Sequence, residues 1–154
     1  MITMPVTRIN RSALLPYTQE AVFALVADIE SYPHYMEGCL AATILSADAT
    51  VVEATLQLGK GKIRQQFTTR NAIQKPQRIN MTLVEGPFRS FQGQWDFLAL
   101  TADASKVSLD LQFELDNQLA SLAAGKLFES VASSLVDSLC RRARGLYGDP
   151  AFTP

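Results

Sequence analysis

Few side chains in this sequence have the type and spacing that catalysis requires. His34 is the single histidine of the sequence, which excludes metal sites that need two imidazole ligands and allows at most one histidine-dependent triad. Ser31 and Asp28 lie nearby in sequence, but no spacing rule brings them together with His34. No pair of carboxylates is placed for acid–base catalysis either. We therefore expect no catalytic residue and no metal site.

The two cysteines indicate a reducing compartment. Cys39 and Cys140 are far apart in sequence and form no C-x-x-C motif, a pattern typical of free thiols in a cytosolic protein. The N-terminus lacks the basic and apolar regions of a secretory signal. No apolar run reaches the ~18 residues that a membrane span needs. We expect a cytoplasmic protein whose membrane contact is limited to a transient, peripheral one at the inner membrane.

The composition indicates one globular domain. The chain has 154 residues, of which 47% are hydrophobic and 19% charged, and its formal net charge is -1. This hydrophobic content excludes a disordered chain, and the near-neutral charge excludes a global attraction to nucleic acid or to an anionic membrane. We expect a single domain over residues 1–154, with a core at about 6–148, and no DNA partner.

The elements that must position a site begin with a strand and two helices. Residues 6–15 form the first predicted strand, and Pro16 ends it. Thr18 then supplies a side-chain oxygen that caps a helix reaching Ala27. Ser31 is the predicted cap of a second, short helix with Pro33 just inside it.

A long β region and a terminal helix follow. From Gly38 onward apolar residues alternate with polar ones, most regularly at 107–116, and short turns separate six strands that we expect to be antiparallel. Residues 118–147 have the spacing of one helix, with Asn117 as its cap and Gly148 as its stop signal. The predicted fold is α+β in the order β-α-α-β-β-β-β-β-β-α, a seven-stranded curved sheet around a long C-terminal helix.

One strand has an unusual mixture of residues on a single face. The odd positions of 63–73 include Phe67, Thr69 and Asn71. Buried hydroxyl and amide groups need partners, so this face suits an amphipathic pocket. The alternative is that the face points to solvent. Trp95 on a later strand has a different pair of interpretations, core packing or pocket wall.

Basic residues cluster twice. A hairpin and the last turns of the C-terminal helix are the two places, and either can contact RNA phosphates or remain solvated. The residues of these clusters are Lys60, Lys62, Arg64, Arg141, Arg142 and Arg144.

Five stretches in order make the chain similar to the START-like, or helix-grip, superfamily, and within it to the coenzyme Q-binding and ribosome association toxin family. They are Ser31–Cys39, Phe67–Asn71, Leu83–Phe88, Gly93–Phe97 and the 119–147 helix. The similarity extends from about residue 7 to residue 147, which is nearly the whole chain. One departure is Glu37, which stands where the family usually has proline and places an acidic side chain beside the expected pocket opening.

The resemblance implies a hydrophobic cavity between the sheet and the C-terminal helix. Mitochondrial relatives are regarded as ubiquinone chaperones, and bacterial relatives are named as toxins that block association of the ribosomal subunits. Our first hypothesis is non-enzymatic binding of ubiquinone or another polyprenyl quinone, in support of respiration or quinone biosynthesis, with no cofactor required. The second is a toxin that binds a ribosomal subunit and has an antitoxin partner. A cyclase-like enzyme ranks last.

The cavity that this family architecture implies gives a set of candidate ligand-binding residues. They come from the segment after the short helix, from the inward faces of the strands and from the terminal helix: Tyr35, Met36, Leu56, Phe67, Thr69, Asn71, Met81, Leu83, Phe91, Trp95, Leu122, Leu127, Phe128 and Val131.

Overall fold

A computed structural model describes residues 6–116 and 121–148. Its elements are β1 (Val6–Leu15), α1 (Gln19–Ala27), a 3₁₀ helix (Ile29–His34), β2 (Cys39–Ala47), β3 (Val51–Lys60), β4 (Ile63–Gln74), β5 (Arg78–Glu85), β6 (Phe88–Ala99), β7 (Ser105–Leu115) and α2 (Leu122–Tyr147). The predicted α+β order, with the long helix at the C-terminal end, is confirmed.

All seven strands form one antiparallel sheet in the order β1-β7-β6-β5-β4-β3-β2. Strands β2 to β7 pair with their neighbours in sequence, as their short connections require. The exception is β1, which pairs with β7 from Val6 opposite Glu114 to Leu15 opposite Ser105. This pairing places the strand that precedes the helices beside the strand that precedes α2.

One face of the sheet carries the core. In β7 the residues Val107, Leu109, Leu111, Phe113 and Leu115 are all buried, as the alternation predicts. Bulges interrupt the pairing of β2 with β3, of β4 with β5 and of β6 with β7, and bulges bend strands. The helix α2 packs against the resulting inner face.

A side-chain cap begins α1 but not the 3₁₀ helix. Thr18 caps α1, since its Oγ1 accepts a hydrogen bond from the Ala21 N–H at 3.1 Å, and α1 ends at Ala27 as predicted. The predicted start of the second helix is wrong. It begins at Ile29, after Asp28, and Ser31 inside it donates its hydroxyl proton to Asp28 Oδ2 at 2.6 Å. The Ser31 hydroxyl, which is the predicted cap, is therefore hydrogen-bonded to a carboxylate and not to a backbone N–H.

The start of α2 is set by Ser121, whose Oγ accepts a hydrogen bond from the Ala124 N–H at 3.1 Å. The predicted cap Asn117 and the predicted first turn at 118–120 lie outside the described residues. The stop signal is confirmed, because the helix ends at Tyr147 and Gly148 follows with a φ of 75°. Among the described residues, no helix is both long and apolar enough to cross a membrane.

We predict that shortening a buried leucine of α2 weakens the fold and that shortening an exposed one does not. Leu139 is fully buried, whereas Leu122 is 76% exposed. Leu139→Ala should lower the free energy of unfolding by about 2–5 kcal/mol, through lost burial and a residual cavity. Leu122→Ala should change it by less than about 0.5 kcal/mol. Urea denaturation measures both, and equal effects would contradict this account of α2 packing.

Candidate functional site

An apolar cavity of about 80 Å³ lies between the sheet and α2. Its walls come from the 3₁₀ helix and the segment after it, from β2 to β7 and from one face of α2. The lining residues are Tyr32, Met36, Cys39, Leu56, Leu58, Phe67, Met81, Phe88, Phe91, Trp95, Leu111, Phe113, Phe128, Val131, Ala132 and Leu135.

Two side chains bring polar atoms with hydrogen-bond partners into this wall. The Tyr32 hydroxyl donates to the backbone carbonyl of Val26, and the Cys39 thiol donates to the carbonyl of Ala41 at 3.7 Å. Burial raises the pKa of Tyr32 well above its usual value and raises the pKa of Cys39 from 9.0 to about 11. Both groups are therefore neutral at physiological pH, and the cavity is uncharged.

A cluster of phenylalanine rings holds α2 against the sheet beside the cavity. The Phe128 ring lies 4.7 Å from that of Phe88, 5.8 Å from that of Phe67 and 6.3 Å from that of Phe113, centroid to centroid. Phe91 continues the cluster at 5.2 Å from Phe88. Such tilted and edge-to-face pairs add to the stabilisation that burial alone provides.

The mixed face of β4 points into the protein. Phe67, Thr69 and Asn71 are all buried, which makes the solvent-facing alternative wrong. The polar pair is nevertheless not part of the main cavity. Thr69 Oγ1 donates to Asn71 Oδ1 at 3.0 Å, and Asn71 lines a separate cavity of about 20 Å³. The Thr69 hydroxyl thus has its partner in the Asn71 side-chain carbonyl, two positions along the same strand.

The two cavities share a wall. Tyr32, Met81 and Trp95 line both of them. Met81 has a flexible, unbranched side chain, which adapts its shape more readily than a branched or aromatic one. The wall between the apolar cavity and the Asn71 cavity therefore contains one adaptable side chain, that of Met81.

The structure brings most of the predicted ligand residues to the cavity. Those that line it are Met36, Leu56, Phe67, Met81, Phe91, Trp95, Phe128 and Val131. Three others lie elsewhere: Leu127 is buried in the core, Leu83 packs against the core from β5, and Tyr35 lines a groove beside α2. Leu122 as a lining residue is wrong, because α2 begins at this position and its side chain is exposed.

Several lining residues were missed by the prediction, and two patterns identify most of them. Leu111 and Phe113 share the inward face of β7 that the alternation already marks as buried. Ala132 and Leu135 follow Phe128 by four and seven positions on α2, which puts them on the same face of the helix. Continuing the alternation of β3 also gives Leu58. The remaining three lie outside both patterns, since Tyr32 is on the 3₁₀ helix, Cys39 begins β2, and a bulge between Phe88 and Ser90 shifts Phe88 out of the alternation.

The hairpin between β5 and β6 leaves the sheet partly open near the cavity. The two strands pair only over Arg78–Thr82 opposite Gln92–Asp96. Leu83–Glu85 of β5 pairs with β4 alone. Phe91, which lines the cavity, is the first residue of β6 beyond the end of this pairing.

The loop before β2 closes the cavity at another side. Gly38 has a φ of 87°, and a Cβ at this position would lie 2.7 Å from Val131 Cγ2, so a glycine is needed both for the backbone conformation and for the close approach to α2. Glu37 is exposed and Met36 is buried in the cavity wall. The acidic side chain predicted at the opening thus points away from the apolar interior.

The two basic clusters lie on different elements. Lys60, Lys62 and Arg64 are exposed at the β3–β4 turn, where Arg64 donates to the carbonyls of Gly61 and Ile63. Arg141 and Arg144 are exposed on the C-terminal part of α2, and Arg142 between them is half-buried.

Comparison with known proteins agrees with this architecture. Residues 15–140 match the family model described as polyketide cyclase / dehydrase and lipid transport. The chain belongs to this family. The resemblance seen in the sequence motifs is therefore confirmed.

The relatives found by sequence comparison include a toxin and a coenzyme Q-binding protein. The Ribosome association toxin RatA of Pseudomonas aeruginosa is 42% identical over 142 residues, covering 92% of this chain and 99% of the relative. A mitochondrial coenzyme Q-binding protein of Dictyostelium discoideum is 23% identical, covering 87% of this chain and 67% of that protein. The Zhui aromatase/cyclase of Streptomyces sp. R1128 shares the fold, with a TM-score of 0.76 at 16% identity over 92% of this chain and 96% of that one.

The raised thiol pKa predicts a loss of stability in alkali. Folded Cys39 keeps its proton up to a pKa of about 11, whereas the usual thiol pKa is 9.0. Between these values the unfolded state releases the proton first, so the free energy of unfolding should fall as the pH rises. Cys39→Ala should make this fall shallower in urea denaturation curves. An unchanged pH dependence in the variant would contradict the burial of the thiol.

Proposed function

We propose that the protein binds a hydrophobic small molecule, a polyprenyl quinone such as ubiquinone, in the cavity between the sheet and α2, and that it does so without catalysing a reaction. The observation that carries this proposal is the apolar cavity itself, walled by aliphatic, aromatic and methionine side chains. An apolar chain gains free energy by leaving water for such a space, at about 25 cal/mol per Å² of buried apolar surface.

The volume of the cavity requires that ligand binding widens it. About 80 Å³ is below the ~300–1,000 Å³ of pockets that enclose drug-sized ligands. In this proposal the structure corresponds to a closed form. Met36 and Met81 are the adaptable side chains of the wall, and the unpaired end of the β5–β6 hairpin is the part of the sheet that can separate without breaking strand pairing.

Widening also supplies a polar partner for a quinone head. Met81 lines both the apolar cavity and the small cavity that contains Asn71. A shift of the Met81 side chain would join the two spaces. A quinone carbonyl accepts hydrogen bonds, and an Asn side chain offers an amide N–H₂ donor. In this proposal Thr69 and Asn71 keep their predicted role as ligand-binding residues.

The chemistry of the wall supports binding rather than catalysis. Among the described lining residues, the groups that can titrate are the Tyr32 hydroxyl and the Cys39 thiol, and burial favours the neutral form of both. Within residues 6–116 and 121–148, neither is hydrogen-bonded to a carboxylate or an imidazole that would activate it. We therefore rank the cyclase-like alternative below binding.

Quinone binding is tested by the fluorescence of Trp95, the single tryptophan of the chain, which lies in the cavity wall. A short-chain ubiquinone analogue should quench it saturably. Ala132→Leu, which adds a bulky side chain inside the cavity, should weaken the apparent affinity at least about tenfold. Ala123→Leu is the matched control, since Ala123 is exposed on the same helix, and it should leave the affinity unchanged.

Two results would contradict quinone binding. One is the absence of saturable quenching in the native protein, together with quinone-free extracts of protein purified from its native host. The other is equal weakening by Ala132→Leu and Ala123→Leu. Circular dichroism spectra of both variants establish that they are folded before affinities are compared.

We further propose binding to a ribosomal subunit, because the relative named Ribosome association toxin RatA is 42% identical over nearly its full length. The described structure provides exposed cations for RNA at the β3–β4 turn and on α2. The quinone would occupy the interior and the ribosome the exterior, so the two activities do not compete for one surface. Both fit a cytoplasmic protein that visits the inner membrane, with an antitoxin as a further partner of the ribosome-directed role.

Sucrose-gradient profiles test the ribosomal role. Added protein should increase free subunits at the expense of the associated ribosome, and this effect should weaken as salt rises, because salt competes for phosphate contacts. Subunit association that is unchanged by the protein at both low and moderate salt would contradict this role. The quinone measurement is independent of it.

A further inference from the structure

A second recess, distinct from the apolar cavity, lies beside the C-terminal part of α2. We call it the Arg142 groove. It has a volume of about 360 Å³ and is lined by Tyr35, Ser138, Arg141, Arg142, Gly145 and Leu146. It is open to solvent on one side and has two arginines in its walls.

Arg142 is held in place by an aromatic ring instead of by an acid. Its guanidinium carbon lies 5.3 Å from the centroid of the Tyr35 ring, within the range of a cation–π contact. Within residues 6–116 and 121–148, the ion pairs are Arg70–Glu53, Arg78–Asp96 and Arg89–Glu114. Arg142 is thus a half-buried cation without a carboxylate partner in the described part of the chain.

Two polar atoms at this groove lack hydrogen-bond partners. The Nε of Arg142 and the hydroxyl of Tyr35 are both enclosed and unpaired in the described structure. Leaving an enclosed polar group unpaired costs about 1–3 kcal/mol, and more for a charged one. Such groups in a folded protein call for an explanation, and a ligand whose acceptor oxygens reach them after a shift of the Tyr35 and Arg142 side chains provides one.

The neighbouring residues make the groove a donor-rich site. Arg141 Nη2 donates to Ser138 Oγ at 3.3 Å, which directs a second guanidinium along the same wall. The acids nearest in sequence to the two sides of the groove are Asp137 on α2 and Glu37, which follows Tyr35 by two positions, and both are exposed. Neither acid forms an ion pair with Arg142 among the described residues.

We propose that the Arg142 groove binds a phosphodiester group of single-stranded RNA. Arg142 and Arg141 contact the phosphate oxygens through their N–H donors, and the Tyr35 hydroxyl donates a further hydrogen bond after a small rotation of its side chain. Arginine suits this role because its planar fork matches the spacing of two phosphate oxygens. This inference rests on the ribosomal role proposed above and names the surface and the chemistry for it.

The shape of the groove favours RNA over a membrane. Its donors are recessed between the Tyr35 segment and α2, so a phosphate must enter a concave site. A strand of RNA can present one phosphate at a time to such a recess, whereas lipid phosphates lie in a plane. The Tyr35 ring, whose centroid lies 5.3 Å from the Arg142 guanidinium carbon, is also the kind of aromatic side chain on which bases stack in RNA complexes.

Binding of a labelled oligouridine of about 12 nucleotides, a length within the usual site sizes of single-strand binding proteins, tests the groove. Fluorescence anisotropy should show at least a tenfold loss of affinity for Arg142→Gln, with the slope of log affinity against log salt reduced by about 0.7. Arg142→Lys should lose affinity although it keeps the charge. Arg8→Gln is the matched control, because Arg8 is exposed on β1 and its substitution removes the same charge. Tyr35→Phe should weaken binding without lowering the thermal unfolding temperature, because the hydroxyl that it removes is unpaired.

Three outcomes would overturn the proposal. The first is equal weakening by Arg142→Gln and Arg8→Gln. The second is Arg142-dependent binding to phosphatidylglycerol vesicles without binding to the oligouridine. The third is full affinity of Arg142→Lys together with Tyr35→Phe, which would reduce the site to a point charge. The sucrose-gradient assay distinguishes this proposal from the ribosomal role. If native protein and Arg142→Gln block subunit association equally, RNA binding at the Arg142 groove is wrong while the ribosomal role stands.

Discussion

Phe128 is the side chain on which the distance between α2 and the sheet depends. Its ring packs against Phe67, Phe88 and Phe113 from three different strands, so the helix cannot move closer at this point. Toward its N-terminal end α2 instead carries small residues. Ala124 is fully buried, and a Cβ on Gly125 would lie 2.9 Å from Leu115 Cδ1. The helix therefore touches the sheet closely at one end and is held away beside Phe128.

The cavity follows from this spacing. Ala132, one turn after Phe128, fills little space on the face that points to the sheet, and the curved strands opposite it recede because bulges bend them. Gly93 on the sheet side makes room for the Met81 side chain of the cavity wall, since a Cβ there would lie 2.5 Å from Met81 Cε. The small Ala132 side chain leaves a void, because the neighbouring large side chains prevent collapse.

The elements of the fold were accessible from the sequence because their signals are local. Alternation marks β7, the Thr18 hydroxyl marks the start of α1, and Gly148 marks the end of α2. The membership of the cavity was only partly accessible, since it depends on how the strands curve and where the helix meets them. Leu122 shows the limit: it continues the apolar stripe of α2, but it lies at the first turn, where it is mostly solvent-exposed.

The segment that joins the 3₁₀ helix to β2 connects the cavity with the Arg142 groove. Tyr32 lines the cavity and Tyr35 lines the groove, and their rings are 6.1 Å apart. The Met36 N–H donates to the Tyr32 carbonyl at 2.8 Å, and the Cys39 N–H donates to the Met36 carbonyl at 3.1 Å. These short-range bonds tie the backbone of the segment together. Because Tyr35 and Met36 are consecutive, a backbone displacement of Met36 that widens the cavity would also shift Tyr35 relative to Arg142, whereas a rotation of the Met36 side chain alone would not.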